Sequence, residues 1–160
     1  MIKTATTASL LSLFFEDLNI IKLYFDEKFG YAINKNAAIR FPREVIPQLN
    51  RPVERVFSDL QALFLTPQNG IALDLDDIRL PLSRATLPHR DGTMPNGIAF
   101  CNAFYGRAHL EKVQMTMETL GGTWRYSQES PLSVGYFASE DVVIAVMPMK
   151  LRTEVACCPE

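Results

Sequence analysis

Residues 97–149 constrain the fold most: an apolar run, a glycine, an amphipathic segment, a double glycine and then further short apolar runs. Residues 97–105 read as one strand. Ile98, Phe100, Asn102 and Phe104 fall on one face, and Ala99, Cys101, Ala103 and Tyr105 on the other. Apolar side chains on both faces predict a position near the centre of a sheet. Leu110, Val113, Met117 and Leu120 then recur at three- and four-residue steps, which predicts a helix over residues 106–120. Gly121-Gly122 closes it, where a left-handed residue is wanted. Residues 123–127, 132–138 and 142–149 read as strands, the last two joined through Ser139-Glu140-Asp141.

The first half is punctuated less sharply. Leu11, Phe14, Leu18, Ile21 and Phe25 keep a helical spacing, so residues 7–29 read as one helix stopped by Gly30. Its apolar side is wider than a surface helix needs. Either the helix is deeply buried, or these residues meet a second copy in a homo-oligomer. Residues 31–41 read as a hairpin around Asn34-Lys35-Asn36. Pro42, Pro47 and Pro52 allow only a short helix near residues 44–48. A second helix is predicted from Pro52, with Val53, Val56, Phe57, Leu60, Leu63 and Phe64 as its apolar face. Ile71, Leu73 and Leu75, then Ile78, Leu80 and Leu82, alternate as two strands joined at Asp76-Asp77, and residues 83–96 form a long polar loop. Neighbouring strands joined by tight turns pair antiparallel. The expectation is therefore an α+β fold: a mostly antiparallel sheet of six to eight strands, with about three helices packed mainly on one face. It is read as a single domain over residues 1–150, with residues 151–160 as a flexible C-terminal tail.

Composition narrows the classes of function. A formal net charge of −2 and an apolar share of 48% describe an ordinary globular chain rather than a disordered or globally basic one. Only residues 78–112 are net positive, with Arg79, Arg84, Arg90, Arg107 and Lys112 against Asp91 and Glu111. That segment is where an anion would be met. Three cysteines, two of them adjacent near the end, suggest no disulfide framework and point to a reducing compartment. No apolar run is long enough to span a bilayer, so no membrane partner is expected and the cytoplasm is the expected location.

Two local patterns resemble catalytic machinery. His89-Arg90-Asp91 followed by Asn96 has the spacing of the protein-kinase catalytic loop, but the glycine-rich strands, strand lysine and Asp-Phe-Gly of that family are missing. Gly106-Arg107-Ala108 opens a helix directly after a strand, where free N–H groups collect. The turn resembles the pyrophosphate loop of the GNAT acetyltransferase family, with Ala103 standing at the position of that family's first Gln or Arg. The resemblance implies a small transferase binding acyl-CoA or a nucleotide near Gly106. Asp74, Asp76 and Asp77 cluster as oxygen ligands do, yet as turn residues they imply no metal ion. Trp124 and Tyr126 share one strand face.

Catalytic side chains are otherwise sparse. The sequence reads as a non-catalytic binding or regulatory module of inhibitor, chaperone or adaptor type, using no cofactor and recognising a protein partner, with nucleic acid a weaker alternative. The predicted surface comprises Arg84, His89, Arg90, Asp91, Asn96, Gly106, Arg107 and His109.

Overall fold

The computed structural model describes residues 2–17, 22–55, 58–64, 70–84 and 96–149. The expected tail therefore lies outside the described residues. Helix α1 (Ile2–Asp17) buries Ala8, Leu10, Leu11 and Phe14 and leaves Ser9 and Ser12 exposed. It ends far earlier than the spacing of Leu18, Ile21 and Phe25 predicts. Strand β1 (Lys22–Phe25) follows, with Leu23 in the main core and Tyr24 on the opposite face. The cause is the turn at Asp26, whose Oδ1 accepts from the backbone N–H of Lys28 (2.8 Å) and Phe29 (2.7 Å). That turn reverses the chain into β2 (Phe29–Ile33). The proposed self-association surface is corrected accordingly. Leu11 and Phe14 are 2% and 1% exposed inside the chain's own core, and Phe25 lies on β1 under the Arg43 guanidinium. Leu18 and Ile21 lie outside the described residues.

The second hairpin is as expected. Asn34 Oδ1 accepts from the N–H groups of Asn36 and Ala37, turning β2 into β3 (Ala37–Pro42). One 3-10 turn (Arg43–Val45) leads into the short helix α2 (Ile46–Leu49), with Pro47 in its first turn. Strand β4 (Glu54–Arg55) pairs parallel with β1, and this displaces the predicted second helix: α3 spans only Ser58–Leu63.

Of the two strands predicted over residues 71–82, only β5 (Ile71–Leu73) forms; the other is helix α4 (Leu75–Arg84). The acidic cluster decides this. Asp77 Oδ2 accepts from the Asp74 N–H at 2.8 Å, half of a capping box, and Asp76 and Asp77 face the positive end of the helix dipole. Leu75, Ile78 and Leu82 then turn inward at helical spacing. Residues 97–105 are likewise not one central strand but a hairpin, β6 (Gly97–Phe100) and β7 (Ala103–Gly106), forming a separate two-stranded sheet. The turn places Cys101 at φ 52° and exposed. Because Phe100 pairs with Ala103 and Ile98 with Tyr105, residues of opposite parity in the sequence end on one buried face.

Helix α5 (Arg107–Leu120) forms as predicted, burying Leu110, Val113 and Met117, and ends on Gly121 at φ 64°, whose N–H bonds the Met117 carbonyl. Strands β8 (Trp124–Gln128), β9 (Gly135–Ala138) and β10 (Val143–Val146) follow. The fold is α+β. Its main sheet has eight strands in the order β4-β1-β2-β3-β10-β9-β8-β5, antiparallel except where β4 meets β1. Two three-stranded meanders, each following a long helix, join edge to edge at β3 and β10. Side chains alternate cleanly across the sheet. Leu23, Ile39, Phe41, Ile144, Phe137, Trp124 and Leu73 pack under α1, α4, α5 and the β6–β7 hairpin. Tyr24, Tyr31, Tyr136, Val143 and Ala145 occupy the other face, covered in part by Leu60 and Phe64. No helix among the described residues is long and apolar enough to cross a membrane.

Candidate functional site

The base of the β6–β7 hairpin and the start of α5 meet at one point. The Arg107 N–H donates to the Asn96 carbonyl at 2.9 Å, next to the Gly97–Gly106 pair that closes the hairpin. Gly106 has ordinary extended torsions (φ −62°, ψ 137°). Its lack of a side chain matters for space: a Cβ there would stand 3.0 Å from His109 Nδ1. The glycine thus lets the His109 ring fold back over the helix start.

The segment after β10 completes the site. The Met147 N–H donates to the Asn36 carbonyl at 2.8 Å, and the Met149 N–H to the Phe104 carbonyl at 2.6 Å. These two bonds draw residues 147–149 between the Asn34–Asn36 turn and β7. The result is a cleft of about 660 Å³ lined by Asn36, Asn96, Gly106, Arg107 and His109 together with Met147, Pro148 and Met149. Met147 and Met149 are 45% and 36% exposed, and Phe104 on the neighbouring strand is 39% exposed.

Four predicted residues, Asn96, Gly106, Arg107 and His109, are therefore brought together. Arg84 is exposed at the last turn of α4 and does not line this cleft. His89, Arg90 and Asp91 lie outside the described residues. A second cleft, of about 530 Å³, runs between α4 and α5 past Arg79, Leu82, Ser83 and Glu118, and Arg107 borders both. The local positive charge is less bare than composition suggests. Arg79 Nη2 donates to Glu118 Oε1 at 2.8 Å, and Arg107 lies 3.8 Å from Glu111. Arg79 and Gln114 together hold the Glu118 carboxyl below its ordinary range.

Sequence reasoning missed Asn36 and Met147–Met149. The Met-Pro-Met triplet closes the strand predicted over residues 142–149, whereas the observed strand stops at Val146, and nothing local tied the triplet to Gly106. Among the described residues no group of three or more His, Cys, Asp or Glu side chains is placed to hold a metal ion. Trp124 and Tyr126 are buried sheet residues, with Trp124 Nε1 donating to the Gly121 carbonyl. They offer no exposed platform.

Burial pushes the His109 imidazole below its ordinary value of 6.5. The unfolded chain then takes up this proton first, so the contribution is complete above about pH 6.5 and is lost as pH falls. The expected NMR titration midpoint of His109 lies below 6.5. Denaturation midpoints of His109→Gln should decline less between pH 7 and 5 than those of the parent chain.

No known family model and no curated protein matches the chain. Among solved structures it is similar to a DNA polymerase sliding clamp from Pseudomonas aeruginosa determined with a ligand, at 15% identity and a TM-score of 0.40. The match covers 78% of this chain but 43% of that one, so the chain spans less than half the length of its neighbour. A likeness of that degree places no residue of this chain in a role.

Proposed function

We infer that the chain is a non-catalytic binding module that recognises a protein partner through the cleft at the start of α5. One observation carries the reading: Arg107 and His109 at the start of α5 line one open cleft together with two exposed methionines, Met147 and Met149. Flexible, polarizable methionines beside a polar floor suit a peptide chain, which presents both carbonyls and apolar side chains.

The test is peptide display against the purified chain, followed by fluorescence anisotropy on the enriched peptides. Met149→Asp and Arg107→Glu, in chains with unchanged circular dichroism, are each expected to weaken binding about tenfold or more, the loss of one central contact. Peptides that bind both variants as tightly as the parent would remove the cleft from consideration. Thermal stabilisation by acyl-CoA or a nucleotide, abolished in Arg107→Ala, would replace this reading with a transferase. Affinity for DNA that falls steeply with salt would favour nucleic acid instead.

A further inference from the structure

The opposite face of the sheet carries a charged cluster that shares no residue with the cleft at α5. Strand β3 is apolar except at Arg40, which stands mid-sheet between Tyr31 on β2 and Val143 on β10. Its guanidinium lies over the Phe29 ring, 4.2 Å from the centroid, with the Phe64 ring 5.9 Å away. Its one hydrogen bond among the described residues runs from Nη1 to the Phe64 carbonyl at a long 3.4 Å. Nε is buried with no partner. Ion pairs among the described residues leave Arg40 out. Arg40 is half-buried and lines a cleft, so its guanidinium lacks a carboxylate hydrogen-bond partner among the described residues at a place where one could reach it from solution.

Asp26, the nearby carboxylate, is already occupied. Its Oδ1 accepts from the N–H groups of Lys28 and Phe29, and its Oδ2 from the Tyr31 hydroxyl at 2.6 Å and Gln61 Nε2 at 3.3 Å. Burial alone would raise the Asp26 pKa, but these four donors outweigh it and leave the group below its ordinary range. The carboxylate is thus held as an anion chiefly by these four donors, and Arg40 feels its charge without a hydrogen bond or ion pair to it. Around both groups lies a cleft of about 560 Å³, to which Lys28 and Arg55 add cations and Glu27 a second carboxylate. Three cations against two carboxylates leave a surplus of one positive charge.

We propose that this cleft binds a singly charged carboxylate, presented either by a free organic acid or by a peptide, against the Arg40 guanidinium. The planar fork of a guanidinium matches the two oxygens of a carboxylate, and stacking on Phe29 holds the fork in place. The single surplus charge fits a monoanion, whereas a phosphate dianion would overshoot it.

The experiment follows arginine Nε–H resonances in the full chain, titrated with sodium acetate at constant ionic strength. One resonance, absent from Arg40→Met, is expected to saturate with acetate and to ignore chloride. Arg40→Lys keeps the charge but not the fork and is expected to weaken binding about tenfold or more. Arg55→Gln, at an exposed site, keeps the test open if the Arg40 variants do not fold. It is expected to weaken binding about two- to fivefold. A blocked peptide with one glutamate separates the sources: saturation at lower concentration than acetate assigns a peptide ligand, and at equal or higher concentration a free acid. Shifts that merely follow ionic strength, saturation that survives Arg40→Met, or inorganic phosphate at pH 8 binding more tightly than acetate would each overturn the proposal.

Discussion

Phe137→Ala should remove about 3–5 kcal/mol of folding stability, a large part of the roughly 5–15 kcal/mol typical of a domain. Phe137 is 0% exposed on β9. Its ring centroid lies 5.0 Å from Tyr126, 5.7 Å from Phe100 and 5.9 Å from Tyr105. Phe100 and Tyr105 belong to the β6–β7 hairpin and Tyr126 to the main sheet, so this one ring joins the two sheets. The sheet cannot collapse into the space left behind, because β9 is hydrogen-bonded on both sides, to β8 and β10. Urea denaturation checks the loss as a lower midpoint at unchanged slope. Leu132→Ala, at a position 65% exposed, is the control and should fall within about 0.5 kcal/mol of the parent. Equal midpoints for the two variants would mean that the hairpin does not rest on Phe137.

Gly135→Ala should be nearly as damaging, at about 3 kcal/mol, by the opposite mechanism. An added Cβ would overlap the Tyr105 hydroxyl and lie 2.9 Å from Tyr105 Cζ and 3.2 Å from Tyr126 Cε1. Tyr105 is 0% exposed and cannot swing away. Its hydroxyl is 2.5 Å from the Tyr126 hydroxyl, which also bonds Gln128, and Gln128 in turn bonds the Ser133 carbonyl. The methyl group therefore either shifts β9 or breaks a buried polar chain. Burial first, and then the Tyr126 bond, push the Tyr105 pKa far up, so the hydroxyl stays protonated and the chain intact across the physiological range. Tyr105→Phe removes the atom that the methyl group strikes. The double variant is expected to recover about 1 kcal/mol relative to the sum of the single losses, which a double-mutant cycle measures. Strict additivity would place the clash elsewhere.

What could be read from the residues depended on how far apart the deciding partners lie. Helix α5 was legible because its apolar spacing, Gly106 and Gly121-Gly122 all fall within one window. The long first helix failed because Leu23, Tyr24 and Phe25 satisfy a helical spacing and a strand alternation equally well. The choice was made by the Asp26 side chain bonding two backbone N–H groups. Residues 71–82 failed similarly: Asp74 and Asp77 look like a hairpin tip until their reciprocal bonding identifies a helix start. The hairpin at Cys101-Asn102 carries no glycine or proline, so its turn was silent. At the candidate site, Asn96, Gly106, Arg107 and His109 were readable as neighbours in sequence. Asn36 and Met149 join them only through backbone bonds across the fold. Arg40 was the one charge in an apolar strand, but its stacking on Phe29 depends on the register of two other segments.

The seam between β3 and β10 also governs the order in which the molecule can assemble. Residues 37–40 find their second hydrogen-bonding neighbour only at residues 143–146, about a hundred positions later. Until that distant segment arrives, the first meander presents an open strand edge rich in alanine and isoleucine, the kind of edge that recruits other chains. Such long-range closure slows folding, because the loop entropy is lost before the pairing is gained. Synthesis of this chain thus includes a long interval in which one half waits, vulnerable to aggregation, for the strand that seals it.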